Sequence, residues 1–139
     1  MRMSGSCLCG AIRYEISAAP VIAGNCHCKD CQRSSGSAYA PTFFVPEQAI
    51  TIRGDVTYYS SPGGSGGPVK RGFCGTCGSQ MFGKPSTMAG LIAVRAGTLD
   101  DASQYQPQVD IFVSHAAPWD YIAPNATTFP TSPPRPPQA

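Results

Sequence analysis

The sequence predicts a single, mainly β domain with short strands, held together by clustered cysteines. Three observations predict it. Glycine (15) and proline (14) make up more than a fifth of the 139 residues, against roughly 12% in an average chain, which disfavours long helices and favours strands between turns. Hydrophobic residues reach 42%, enough to fill one core at this length. Seven cysteines fall into three tight groups.

The elements follow in chain order. Residues 11–16 alternate apolar and polar side chains and read as a strand, and residues 21–26 are a second candidate. Residues 30–35 suit one helical turn, stopped by Gly36. Residues 39–45 are aromatic and β-branched but contain Pro41, which predicts an edge strand or a bulge. Residues 50–53 and 57–60 flank Gly54-Asp55 and read as a hairpin. The stretch SSPGGSGGP (60–68) has the most flexible composition of the interior. It reads as a plain hairpin tip or, because it leads into a cysteine pair, as a mobile flap over a site. Residues 69–73, 80–83, 91–96 and 109–113 complete eight or nine short strands. From Pro124 the chain reads PNATTFPTSPPRPPQA, a proline-rich tail expected to be extended or disordered. Its PPRPP motif would suit an aromatic groove on a partner.

Charge and hydropathy exclude several classes. The net charge is +2, charged residues make up only 13%, and no basic run exceeds Lys70-Arg71. A nucleic-acid partner is therefore not expected. No stretch of 18 consecutive apolar residues occurs, and MRMSGSCLCG lacks an apolar run of signal-peptide length. The expectation is a cytoplasmic protein with no membrane partner. There, thiols stay reduced and clustered cysteines read as metal ligands or redox groups. Seven, an odd number, cannot pair fully.

The groups are Cys7 and Cys9 (CLC), Cys26, Cys28 and Cys31 (CHCKDC), and Cys74 and Cys77 (CGTCGS). In C-x-x-C-G both thiolates sit on a tight turn, and Gly78 permits the positive φ that the turn requires. This zinc-knuckle arrangement needs a second ligand pair. CLC can supply it: on a strand, residues i and i+2 share a face, with Leu8 turned to the core. The CHCKDC sulfurs lie within six residues and can converge on one ion, Cys31 following one turn later. Seven then divides into a closed four-thiolate site (Cys7, Cys9, Cys74, Cys77) and an open three-thiolate site (Cys26, Cys28, Cys31). Closed four-ligand zinc is structural, whereas three protein ligands leave a position for water or substrate. Two alternatives stay open: His27 or His115 completes the triad as a second structural site, or the triad is metal-free and redox-active.

These residues resemble the family of glutathione-dependent formaldehyde-activating enzymes, shared with the centromere protein V domain. The matching pieces are SCLCGAIRYEI, CHCKDCQRSSGSAY and VKRGFCGTCGSQMF, followed by GTLDD and the APW of residues 117–119. The likeness covers roughly residues 4–122, giving a zinc-binding domain over 1–123 and a tail over 124–139. It implies several small antiparallel sheets, similar to the Mss4 nucleotide-exchange factor, and the same division of two zinc ions. It further implies a carbon–sulfur lyase type of enzyme acting on glutathione adducts of formaldehyde or small carbonyls, with glutathione as co-substrate. Lys29, Arg33, Lys70 and Arg71 adjoin the cysteines and are candidates for glutathione's carboxylates, or for compensating thiolate charge. Ser34 and Ser35 are candidates for hydrogen bonds to substrate or for satisfying turns. His27 and His115 show no Asp or Ser constellation in the sequence, and Trp119 is expected to pack the closing segment on the core. The rival class is an adaptor or chaperone-like module with two structural zincs; a third is a redox sensor or metal-trafficking protein. A homodimer is left open.

Overall fold

The computed structural model describes residues 2–64 and 66–133. Ten strands form two sheets. The smaller contains β1 (Met3–Ser6), β2 (Arg13–Ile16) and β5 (Ile50–Arg53), in the order β1-β2-β5. The larger contains β3 (Ile22–Cys26), β4 (Ala40–Pro46), β6 (Val56–Ser61), β7 (Val69–Cys74), β8 (Gln80–Pro85), β9 (Leu91–Arg95) and β10 (Val109–Ile111). Its order is β10-β3-β4-β9-β8-β7-β6. All pairings are antiparallel except β10 beside β3. The one α-helix among the described residues, α1 (Lys29–Ser35), ends at Gly36. No helix among the described residues is long and apolar enough to cross a membrane.

The core lies between the sheets. Tyr14 and Ile16 of β2 and Ile12 before it meet Phe43, Val45, Phe82, Ile92 and Val94 of the larger sheet. Tyr14 contacts Phe82 edge to face at 5.7 Å, a favoured aromatic geometry. Strand alternation sends the neighbours of these residues, Thr42, Ala93 and Arg95, to the opposite face of the larger sheet. On that side α1 packs against β4.

Three expectations are corrected. Residues 50–53 and 56–61 do not form a hairpin: β5 pairs with β2, while β6 pairs with β7. The chain crosses between sheets at Gly54, whose φ is +102° and where a Cβ would stand 2.1 Å from the Ala11 carbonyl oxygen. Only glycine fits there. Second, β4 is interior, not an edge strand. Pro41 is tolerated because pairing with β9 begins one residue later, at Thr42 opposite Arg95, so that ladder asks no donor of it. Third, Trp119 is 72% exposed and does not pack on the core. The sequence also concealed β1, whose MSGS offers no β-branched residue.

The described part of the tail lies against β10. Asp110 N–H donates to the Thr127 carbonyl and accepts, through its own carbonyl, from Phe129 N–H, both at 2.9 Å. Phe112, Val113 and Ser114 donate to Thr131, Phe129 and Pro130. The PPRPP motif falls, from Pro134 onward, outside the described residues. The glycine-rich loop joins β6 to β7, and a side chain at Gly64 would meet the Phe112 ring at 3.6 Å.

Candidate metal centres

The four-thiol cluster joins two turns. Cys74 ends β7 and Cys77 sits in the turn to β8, where Gly78, at φ +78°, donates its N–H to the Cys74 carbonyl at 2.8 Å. The left-handed glycine predicted for this knuckle is present. Cys7 and Cys9 come from a turn after β1, not from a strand. Gly10 N–H bonds the Cys7 carbonyl at 3.2 Å, and Ile12 N–H bonds the Cys7 sulfur, also at 3.2 Å. Leu8, expected in the core, is 88% exposed, because a turn does not impose strand alternation.

The sulfurs fit a tetrahedral ion. Zn–S bonds of about 2.3 Å place sulfurs roughly 3.8 Å apart. Cys7 and Cys9 sulfurs are 3.6 Å apart, and Cys9 and Cys74 sulfurs 3.8 Å. All four lie within 4.8 Å of one another. The Ser79 hydroxyl, 3.1 Å from Cys77, is the main cause that lowers that thiol to about 5. At Cys9 an N–H bond from Ala11 lowers the pKa, yet the neighbouring thiols, Cys7 first, push it up to about 11.

The three-thiol cluster lies beneath α1. Cys26 ends β3, Cys28 caps the helix by accepting from Cys31 N–H at 3.3 Å, and Cys31 is buried in its first turn. Their sulfurs also lie within 4.8 Å of one another. Bonds from the Cys26 and Cys28 thiols, then the charges of Arg95 and Arg71, hold Cys31 far below an ordinary thiol against the opposing effect of burial. Cys26 is pushed far up by Cys28 and Cys31. Three sulfurs this close could give up their protons to a shared cation.

Neither histidine joins the cluster. His27 is fully buried, its Nδ1 2.5 Å from Asp120 Oδ2 and its Nε2 2.8 Å from Asp110 Oδ1. Both ring nitrogens are engaged, so neither reaches a metal, and the constellation that the sequence did not show is two aspartates from far downstream. Gln32 on α1 ties this region together, donating to the His27 and His115 carbonyls at 2.7 and 3.0 Å. Ser35 caps its own helix, donating to the Cys31 carbonyl at 2.6 Å, and Ser34 does so weakly at 3.4 Å.

Of the four candidate cations only Arg71 reaches the triad, its Nη1 4.0 Å from the Cys31 sulfur. Lys29 and Arg33 lie exposed on α1. Lys70 is exposed and lines a groove with Ser60 and Lys84. A fifth cation was missed: Arg95 is only 8% exposed and donates from Nη1 to the Thr42 hydroxyl at 3.0 Å. Burial pushes it below the ordinary guanidinium value, the Cys31 thiolate pulls it back, and Arg71 opposes that pull. Its position after a run of apolar residues gave the only signal.

Fold and clusters together define a small, mainly β domain with two thiol sites competent to hold metal ions. The chain belongs to the glutathione-dependent formaldehyde-activating enzyme family, whose profile matches residues 2–115. It is similar to a Halomonas elongata protein, 29% identical over 59% of this chain and 55% of that one. A Penicillium rubens protein is 28% identical over 78% of this chain and 59% of its own length. The names of both provisionally assign them as glutathione-dependent formaldehyde-activating enzymes. The matches thus span little more than half the length of these relatives. A crystal structure of a Rhodobacter sphaeroides protein superposes with a TM-score of 0.55 at 27% identity, covering 70% of this chain and 88% of the other.

Proposed function

We propose that this chain is an enzyme that acts on thiol adducts of small carbonyls, with glutathione and formaldehyde as substrates and zinc in both clusters. One observation carries the reading. Cys26, Cys28 and Cys31 converge, and no fourth side-chain ligand joins them among the described residues, since His27 is held by two aspartates. Three protein ligands are the arrangement of a site that accepts an exogenous one, whereas the complete set at Cys7, Cys9, Cys74 and Cys77 is that of a structural ion. The family and the names of the relatives supply the thiol and the carbonyl.

Zinc at the triad supplies a Lewis acid that keeps an incoming thiol as its thiolate at neutral pH. The chain's own part is to fix three sulfurs between the end of β3 and the first turn of α1, so that one side stays available. Addition of glutathione's sulfur to the carbonyl carbon of formaldehyde would form a C–S bond as the C=O π bond opens, and the proton that the thiol gives up would end on the oxygen, giving S-hydroxymethylglutathione. In reverse the C–S bond breaks, which is carbon–sulfur lyase chemistry. Lys29 and Arg33, exposed on the helix that carries Cys31, would be the cations to meet glutathione's carboxylates. Lys70 lies on the opposite face of β7 from Arg71 and has no part in this reading.

The test is exchange of carbon-13 formaldehyde with glutathione, followed by NMR on zinc-loaded protein. The expected result is exchange faster than the uncatalysed rate and its loss in Cys28→Ser. No acceleration, together with no binding of glutathione by the wild type, sinks the proposal and leaves an adaptor with two structural ions.

A further inference from the structure

We infer that the buried pair Arg71 and Arg95 sets the charge around the three-thiol cluster so that it takes a thiolate as its fourth ligand in preference to a neutral donor. The inference rests on the metal and thiol reading above. Both residues are 8% exposed. Arg71 is opposite Gly83 on β8, and a Cβ at Gly83 would stand 3.9 Å from both Nη atoms of Arg95. The two guanidiniums therefore share one face of the sheet, and Arg71 reaches the Cys31 sulfur at 4.0 Å. Arg95 makes one hydrogen bond, to Thr42, and its Nε is buried without a partner. Among the described residues, the ion pairs involve Arg2, Arg13, His27 and Lys84. Neither Arg71 nor Arg95 faces a carboxylate.

Buried guanidiniums need a compensating anion, and the anionic group that Arg71 reaches is the Cys31 sulfur. A divalent ion on three thiolates carries −1 and the two arginines that face them carry +2, which leaves these groups at +1, while Asp110 and Asp120 are turned to His27 on the other side of the cysteine loop. A fourth thiolate brings the total to zero; water or imidazole leaves the surplus uncompensated. The four-thiol cluster has no such cations. With its ion it carries −2, and backbone N–H groups, the Ser79 hydroxyl and solvent at exposed Cys9 answer that charge. The arginines are thus not a requirement of thiol–metal clusters in general but belong to the incomplete one.

The probes are 2-mercaptoethanol, which offers a thiolate and no carboxylate, and imidazole, which is neutral, each titrated calorimetrically into zinc-saturated full-length protein. Arg71→Gln is expected to weaken 2-mercaptoethanol binding about tenfold, as loss of one nearby charge in a partly desolvated site requires. Imidazole binding should change less than about twofold, and Arg71→Lys should restore thiol binding. Equal weakening of both probes, no change in either, or a lysine variant as poor as the glutamine one would overturn the inference. If Arg71→Gln loses the triad's zinc, the charge account stands when Arg71→Lys keeps it and falls when lysine loses it too. A wild type that binds no thiol removes the enzymatic reading itself; thiol binding untouched by Arg71→Gln removes only this inference.

Discussion

The two cysteine clusters use the same donor atom yet answer its charge differently. At the rim, two turns from different sheets bring four sulfurs together, and backbone N–H groups, a serine hydroxyl and solvent face them. Inside, a strand end and a helix start bring three sulfurs together against two buried arginines. The first cluster is a staple: Cys7 and Cys74 belong to the core that joins the sheets. The second lies outside that core, at the end of β3 and the start of α1. On the function proposed above, the complete set at the rim would hold the fold and the incomplete set inside would be the one available for chemistry.

The largest expected effect breaks the staple. A structural zinc site is worth roughly 10 kcal/mol, and about 4 °C of Tm accompanies each kcal/mol in a chain of this size. Cys74→Ser should therefore lower the thermal midpoint by about 15 °C or more, or abolish the transition, as read by circular dichroism. Cys28→Ser should shift it by less than about 5 °C. Equal collapse in both would erase the contrast and make both sites structural.

Next in size is the brace behind the triad. His27→Gln leaves Asp110 and Asp120 facing each other across a buried space, at a cost of about 3 kcal/mol. Thermal unfolding should show a loss near 10 °C, while metal analysis still finds the four-thiol ion in place. Loss of both metals would show that the two regions are not independent.

The smallest effect concerns the core between the sheets and neither cluster. Burial raises the Tyr14 phenol to about 12, although its bond with Thr98 opposes the shift. A phenol raised in the folded state contributes stability fully below its unfolded value near 10, and that contribution is lost as pH rises through 12. Wild-type stability should fall by about 2 kcal/mol across this window. Tyr14→Phe should flatten the fall in urea titrations between pH 9 and 12 (roughly the window the two pKa values define).

Much of the site was legible because metal ligation is local. The spacings CLC, CHCKDC and CGTCG each place sulfurs on one turn or strand end, and Gly78 and Gly36 announce the turns that they close. What the sequence hid is what depends on distant partners. Arg95 and Arg71 are 24 positions apart, and only the β7-β8-β9 register puts them together. The partners of His27 are 83 and 93 residues downstream. Gly54-Asp55 carries the composition of a hairpin turn, but the hydrophobic demands of two different sheets pull β5 and β6 apart. Leu8 misled because CLC was assigned a strand's alternation where the chain turns.

The bonds between residues 127–131 and β10 connect this part of the tail to the three-thiol cluster. Thr127 and Phe129 clasp Asp110 by its backbone, and Asp110 grips the imidazole between Cys26 and Cys28, so a short chain of hydrogen bonds runs from residues 127–129 to the sulfur loop. A segment whose composition suggests a dangling appendage is thus, over residues 127–131, tied by its backbone to the strand that carries one of the two aspartates holding His27.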